Sequence, residues 1–447
     1  MAQIAYQMYA ERIDQLNPIK HYGKVTKVIG LVVESAGPAV SIGKLCTIES
    51  KENGTRIKAE VVGFRDDRIV LMPLGPITGI TPGSIVTSNY EELRVPVGRE
   101  LIGRVLGGLG QPIDDLGPIE SSTTVSVNNK PIPALRRRTI TDKLLTGIRS
   151  IDLTMSAAKG QRLGIFSGSG VGKSVMLGMM ARGTSADINV IALIGERGRE
   201  VREFIENDLG PEGMKNSIVV AVTSDEPPLI RIKGAMVATA IAEYFRDQGK
   251  NVLLLFDSLT RVSMAQREIG IAAGEPPTTK GYTPSVFAML PALLERAGLS
   301  EKGSITGFYA VLVEGDDFNE PIADAVRSIL DGHITLSRKM ASLNQYPAID
   351  ILDSVSRLMK NVATDEEIEL AAQTRKVMAI YREAEDLINI GAYVKGSNPE
   401  IDDAIIKHRK LLDFFRQGIN EVDDYQKSYQ ILKEIFEPAE SEANEKV

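Results

Sequence analysis

Eight consecutive residues in the middle of the chain have the types and spacing to hold a phosphate. Ser167-Gly168-Ser169-Gly170-Val171-Gly172-Lys173-Ser174 follows an apolar run, Arg162 to Phe166, and leads into a helical segment that begins near Lys173. Glycines let a backbone curl until several N–H groups face one phosphate, and the start of the following helix adds its dipole. Lys173 would then reach the β- and γ-phosphates of a nucleotide, and Ser174 would hold Mg²⁺. The strict form of this loop, G-x-x-x-x-G-K-[ST], opens on a glycine where this chain has Ser167. The glycines at 168, 170 and 172 are expected to preserve the curl.

Two carboxylates fit the rest of such a site. Asn251 to Asp257 is an apolar strand that ends in an acid. The carboxyl ends of sheet strands face the ligand crevice, so Asp257 is expected to fix the shell of a Mg²⁺ ion through water. Glu196 follows a second apolar strand, Ile188 to Ile194. A carboxylate there can polarise a water that attacks the γ-phosphate. Charge that spreads over the phosphoryl oxygens calls for a further cation, which an arginine from a neighbouring subunit can supply.

These residues need a scaffold. From Gly160 to about Leu336 near-continuous apolar runs alternate with helical segments: Arg162–Phe166, Ile188–Ile194, Ser217–Val222, Val252–Phe256 and Ile305–Val313. Such runs suit parallel strands covered on both faces, which predicts an α/β sheet. Upstream, short β-branched runs between Gly23 and about Leu93 are punctuated by Gly, Pro and Asn and predict a small all-β barrel. Between them, Val95 to Thr146 reads as a Gly/Pro-rich connector whose Arg136-Arg137-Arg138 run is expected to be solvated. Met1 to about Leu16 reads as a short helix ended by Pro18, and residues after Asp365 read as helical to about Phe436, broken by a turn-rich loop at Gly391–Pro399. The tail Pro438–Val447 is expected to fray. The expected segments are therefore 1–20, 21–94 (barrel), 95–360 (phosphate-binding α/β domain) and 361–447 (helical).

Composition narrows the class. The 447 residues are 43% hydrophobic and 25% charged, the balance of a globular protein. The net charge is −7, and nucleic-acid binders are more often basic. The single cysteine, Cys46, excludes an internal disulfide, fits a reducing compartment and is expected to be a buried strand residue. No secretory signal and no membrane-spanning stretch is evident, so a cytoplasmic protein that meets membranes through partners is expected.

With these residues in hand, the chain resembles the rotary and export ATPase superfamily, and most closely its export branch: the flagellum-specific ATPases and the ATPases of virulence-associated type III secretion. The resemblance runs from about Tyr22 to Gln417. It is carried by Ser169-Gly170-Val171-Gly172-Lys173-Ser174, by Gly195-Glu196-Arg197-Gly198-Arg199-Glu200 and by Glu275-Pro276-Pro277-Thr278-Thr279-Lys280-Gly281-Tyr282. Val313-Glu314-Gly315-Asp316-Asp317-Phe318-Asn319-Glu320-Pro321 and Gln345-Tyr346-Pro347-Ala348-Ile349-Asp350 add to it. The Gly315-Asp316-Asp317 and Pro276-Pro277-Thr278-Thr279 segments resemble the export branch rather than synthase β subunits.

The resemblance implies an N-terminal β-barrel, a central RecA-like P-loop domain and a C-terminal helical domain, six to a ring. It implies ATP and Mg²⁺ as ligands, with Ser169 to Val175 around the phosphates and Tyr346 stacked on adenine. It implies that Glu196 is the catalytic carboxylate, that Arg197 lies beside the phosphates, and that Arg357 is the arginine supplied in trans. Implied partners are identical subunits, a dimeric regulator at Met1–Leu16, a central coiled-coil stalk, export chaperone–substrate complexes and the export gate, at the inner membrane only peripherally. Three other functions were weighed. A synthase catalytic subunit predicts an acidic loop where Gly391–Pro399 carries Lys395. A Rho-like nucleic-acid motor predicts a basic, aromatic stripe that the barrel segment lacks. A non-catalytic structural subunit would lack Glu196.

Overall fold

The computed structural model describes residues 21–437 apart from 52–53, 89, 314–316 and 318–319. The helix expected over Met1–Leu16, the tail from Pro438 and most of the Glu314–Asn319 motif lie outside the described residues. The chain divides into two compact units. One comprises residues up to Arg94 with Pro227–Ile230 and Gln266–Pro284, and the other holds the remainder.

The first unit is built on a closed six-stranded barrel. Its strands are β1 (Tyr22–Ile29), β2 (Val32–Ala36), β3 (Leu45–Glu49), β4 (Arg56–Arg65), β5 (Arg68–Pro73) and β6 (Ile85–Ser88), in the order β1-β2-β5-β4-β3-β6. Alternation sends Ile57, Ala59 and Val61 of β4 inward, where they meet Val33, Ile48, Leu71 and Val86. Cys46 is buried among them, and burial pushes its thiol pKa up. The run expected as one strand from Lys24 to Val33 is two, because Gly30 takes a left-handed turn (φ 53°) between β1 and β2.

The second unit is a mainly parallel sheet with helices packed on it. Its strands are β7 (Val105–Leu106), β8 (Arg162–Ser167), β9 (Ile188–Glu196), β10 (Ser217–Thr223), β11 (Asn251–Asp257), β12 (Ser304–Leu312), β13 (Gly332–Leu336) and β14 (Ile349–Ser356). They lie in the order β14-β13-β8-β12-β11-β9-β10-β7. All neighbours on this path are parallel except β13 and β14. Leu163, Ile165, Ile191, Leu193, Leu253, Leu255 and Phe308 form the buried middle.

Two of these strands were not foreseen. β7 comes from the segment expected to be a connector; at two residues it is too short to show a period. β14 lies beyond the expected end of the sheet and runs antiparallel to it. The Arg136-Arg137-Arg138 run is not wholly solvated either. Arg137 donates to the carbonyls of Ile132 and Glu295, and Arg138 to that of Ser300.

Among the helices, α1 (Arg149–Thr154) precedes β8, and α2 (Lys173–Gly183) starts at the loop. α3 (Pro228–Asp247) precedes β11, α4 (Leu259–Ala273) follows it, and α5 (Pro284–Leu294) precedes β12. Beyond β14 come α6 (Asp365–Asn389), α7 (Pro399–Phe415) and α8 (Tyr425–Phe436), around Leu370, Val377, Leu411, Phe415 and Leu432. A capping box between Thr364 and Glu367 starts α6. The expected interruption at Gly391–Pro399 separates α6 from α7. A second one, residues 416–424, separates α7 from α8 and was not anticipated.

Candidate active site

The loop after β8 closes into the start of α2. Ser167 is the last residue of β8, pairs with Leu312 and Leu336, and is buried in extended backbone. Within the loop only Gly170 (φ 76°) and Gly172 (φ 84°) take left-handed backbone. The first position of the pattern therefore needs no glycine here, which explains how Ser167 is accommodated. Gly172 is the N-cap of α2 and its carbonyl accepts the Met176 N–H at 3.0 Å, so the free N–H groups of the first helical turn point toward the loop. Val171 is buried beneath, while Ser169, Gly170 and Ser174 are exposed at the mouth.

Three charged side chains converge from neighbouring strand ends. Lys173 forms an ion pair with Asp257, the last residue of β11. Glu196 ends β9, where a register shift at Gly195 (φ 77°) re-aims the strand tip. Burial pushes the Glu196 carboxyl up to about 7; the charge of Asp257 adds to this, and Lys173 and Arg261 oppose it. A carboxylate held near neutrality suits proton transfer in water.

Arg261 is the residue that reading the sequence missed. It stands in the first turn of α4, its side chain packs over Gly195, where a Cβ would lie 2.8 Å away, and its Nε is buried without a hydrogen-bond partner. A basic residue one turn after a strand-end acid was the available signal. Ser167 and Ser258 hydroxyls are likewise buried and unpartnered at the ends of β8 and β11. These orphaned donors at the carboxyl edge of the sheet suit a polar ligand with many acceptor oxygens.

Beside the loop is an apolar cavity of about 350 Å³. Val175, Met176 and Met179 form its floor on one face of α2, and Tyr346, Gln417 and Ile419 close it. The Tyr346 ring lies so near Gly172 that a Cβ there would meet it at 3.2 Å. Gln417 and Ile419 come from the unforeseen break between α7 and α8; a lone glycine, Gly418, is its only mark in the sequence.

Two sequence-derived residues stand apart. The Arg197 guanidinium is largely exposed and pairs with Glu200 at 3.3 Å, outside the Lys173–Asp257–Glu196 group. Arg357 follows β14 and its N–H donates to Asp331, whose own N–H donates to Arg162 at the start of β8. The loop lies past the other end of that strand. Five residue steps separate the two levels, about 16 Å of strand at ~3.3 Å per residue, and Arg357 does not reach the loop of its own chain.

Comparison with known proteins places this geometry. Residues 147–356 match the nucleotide-binding domain of the ATP synthase alpha/beta family, and residues 25–88 match that family's beta-barrel domain. Residues 363–434 match the T3SS EscN ATPase C-terminal domain. The chain is 56% identical over 416 residues to the flagellum-specific ATP synthase of Bacillus subtilis (strain 168), across 93% of this chain and 95% of that protein. The assembled ATPase EscN from the type III secretion system of enteropathogenic E. coli superposes with a TM-score of 0.87 at 43% identity, covering 92% of this chain and 99% of that one. EscN in complex with its central stalk EscO superposes with a TM-score of 0.84 at 42% identity, with the same coverage.

Proposed function

The chain belongs to the type III export branch of the ATP synthase alpha/beta family, an ATPase that energises protein export, and on that premise we propose which residues do the work and for which system. The system is the flagellar one. The identity of 56% to a flagellum-specific relative against 43% to a virulence-associated one supports this.

The observation that carries the catalytic reading is the meeting of Lys173, Asp257 and Glu196 at the open end of the sheet beside a glycine loop. Residues 169–174 cradle the triphosphate, and Lys173 leaves Asp257 to hold the β- and γ-phosphates. Hard oxygen donors suit Mg²⁺: Ser174 would bind it through its exposed hydroxyl and Asp257 through its carboxylate, directly or by water. Bound there, the ion supplies positive charge to the phosphoryl oxygens. Glu196 accepts a proton from the attacking water, and Arg261 keeps a cation beside the developing charge. Arg197 completes the phosphate surroundings only after turning from Glu200. Val175 and Tyr346 receive the ribose and base. Arg357, out of reach of its own loop, serves the next subunit.

That last assignment requires a ring. A homohexamer of this chain presents six identical sites, each with its own Glu196. EscN assembles and binds a central stalk, EscO, and by the same family logic a coiled-coil stalk meets the helical domain here. The segment 1–20 is assigned to a dimeric regulator, 21–94 to the barrel, 95–360 to the ATPase domain and 361–447 to the helical domain, which also receives chaperone–substrate complexes for the export gate. No helix among the described residues is long and apolar enough to cross a membrane. Peripheral attachment on the cytoplasmic side, without nucleic acid, fits the role.

A strain that carries Lys173→Ala tests the assignment. Motility and secretion of filament protein are expected to fall to the level of a strain lacking the protein. Normal motility, with a virulence secretion system disabled instead, would transfer the chain to the sister system.

A further inference from the structure

The cavity beside the loop bears on which nucleotides the enzyme accepts, given the reading above that phosphates sit on the loop and the base against Tyr346. A site that distinguishes adenine from guanine must offer a fixed donor or acceptor to the edge where the purines differ. At C6 adenine carries an amino group and guanine a carbonyl; at C2 only guanine carries an amino group. A buried polar group left unpaired by the wrong base gives discrimination of about 10⁴–10⁵, whereas apolar contacts give on the order of 10–200-fold for a missing group.

Here the polar atoms around the cavity are already engaged. Gln417 is 3% exposed. Its Oε1 accepts the Arg149 N–H at 3.1 Å, and its Nε2 donates to the carbonyls of Gly147 at 2.8 Å and Glu421 at 3.2 Å. Its backbone N–H donates to the Tyr346 carbonyl at 2.9 Å. The Ile419 carbonyl accepts from Arg182 Nη2 at 2.6 Å. Gly147, which anchors the amide, is itself fixed: its N–H donates to the buried Asp152 at 3.0 Å, and at φ 76° it packs on Gly183 at the end of α2. Gln417 is thus a structural pin whose amide cannot turn to a base without breaking three hydrogen bonds.

Val175, Met176, Met179 and Ile419 present hydrocarbon and thioether. Among the described lining residues this leaves one uncommitted side-chain hydroxyl, that of Tyr346. A phenol donates or accepts as its partner demands, so it reads neither base. The Tyr346 face stacks on any purine.

We infer that the nucleoside pocket selects for a purine face and not for adenine, so that the enzyme also hydrolyses GTP and ITP. The test is steady-state hydrolysis by the assembled full-length protein with Mg²⁺ and ATP, GTP or ITP in turn. The kcat/KM for GTP and for ITP is expected within tenfold of that for ATP. A deficit greater than tenfold for either, with ATP turnover intact, overturns the inference and leaves the ATPase assignment standing. Absence of turnover with ATP itself overturns the site assignment and the inference with it. Tyr346→Phe, which keeps the stacking face, supplies an independent check. The GTP:ATP ratio is expected to stay within about threefold of the unsubstituted protein's, and a larger change would show that the hydroxyl reads the base, contrary to the inference.

Discussion

Arg357→Ala is expected to lower ATP turnover of the assembled protein by about 10³–10⁵, the range for an arginine that neutralises charge on a transferring phosphoryl group. The substitution touches nothing in its own chain's loop. Arg357 stands level with Arg162 at the start of β8, and the loop follows Ser167 at that strand's end. Within one subunit the loss would be inexplicable; across a subunit boundary it is required. Mixing separates the two. Lys173→Ala subunits retain Arg357, and Arg357→Ala subunits retain the loop. If a ring joins the loop of one subunit to the arginine of the next, an equimolar mixture of the two inactive proteins recovers activity at roughly a quarter of its interfaces. Each parent alone stays inactive. A mixture no more active than its parents would place the arginine's action within its own chain, against the geometry.

Glu196→Gln is the second large loss. The amide matches the carboxylate in shape and cannot take a proton, so turnover is expected to fall by about 10²–10⁴ while nucleotide binding persists. The pH profile distinguishes a base from a merely structural acid. Burial and the neighbouring Asp257 push the Glu196 carboxyl from the ordinary 4.5 up to about 7. A base acts only when ionised, so kcat/KM should rise with pH through about 7 and level off above it. Below that point it should fall tenfold per pH unit. The residual activity of Glu196→Gln should lack this limb. A wild-type limb near 4.5 would mean that Glu196 is not held as the structure holds it, and a limb retained in Glu196→Gln would assign it to another group.

The parts of this site that local chemistry dictates were legible in the sequence. A glycine loop between an apolar strand and a helix has one physical reading, and acids at the ends of apolar runs in a parallel sheet fall on its open edge. Lys173, Asp257 and Glu196 could be grouped for that reason before any fold was known. The barrel was legible from alternation, although Gly30 turned one expected strand into two. What escaped was set by tertiary packing. β7 is too short to carry a period, and β14 joins the sheet antiparallel beyond its apparent end. The break at 416–424 sits inside a helix-rich region and is held open by Gln417 and Arg149, whose partners lie some 270 residues away in the chain. Since Gln417 and Ile419 close the nucleoside pocket, its most informative part was the least visible. Arg357 could be singled out only by family likeness, because a residue that acts on another subunit has no local pattern.

The account depends on a triphosphate being held and cut at the loop that ends in Lys173. Nucleotide binding and phosphate release should be measured on the purified, assembled protein with Mg²⁺, beside Lys173→Ala in the same state of assembly. The unsubstituted protein is predicted to bind ATP and release phosphate over many turnovers, and the variant to lose both binding strength and release. Phosphate release by Lys173→Ala at the unsubstituted rate would contradict the account, because it would locate hydrolysis elsewhere.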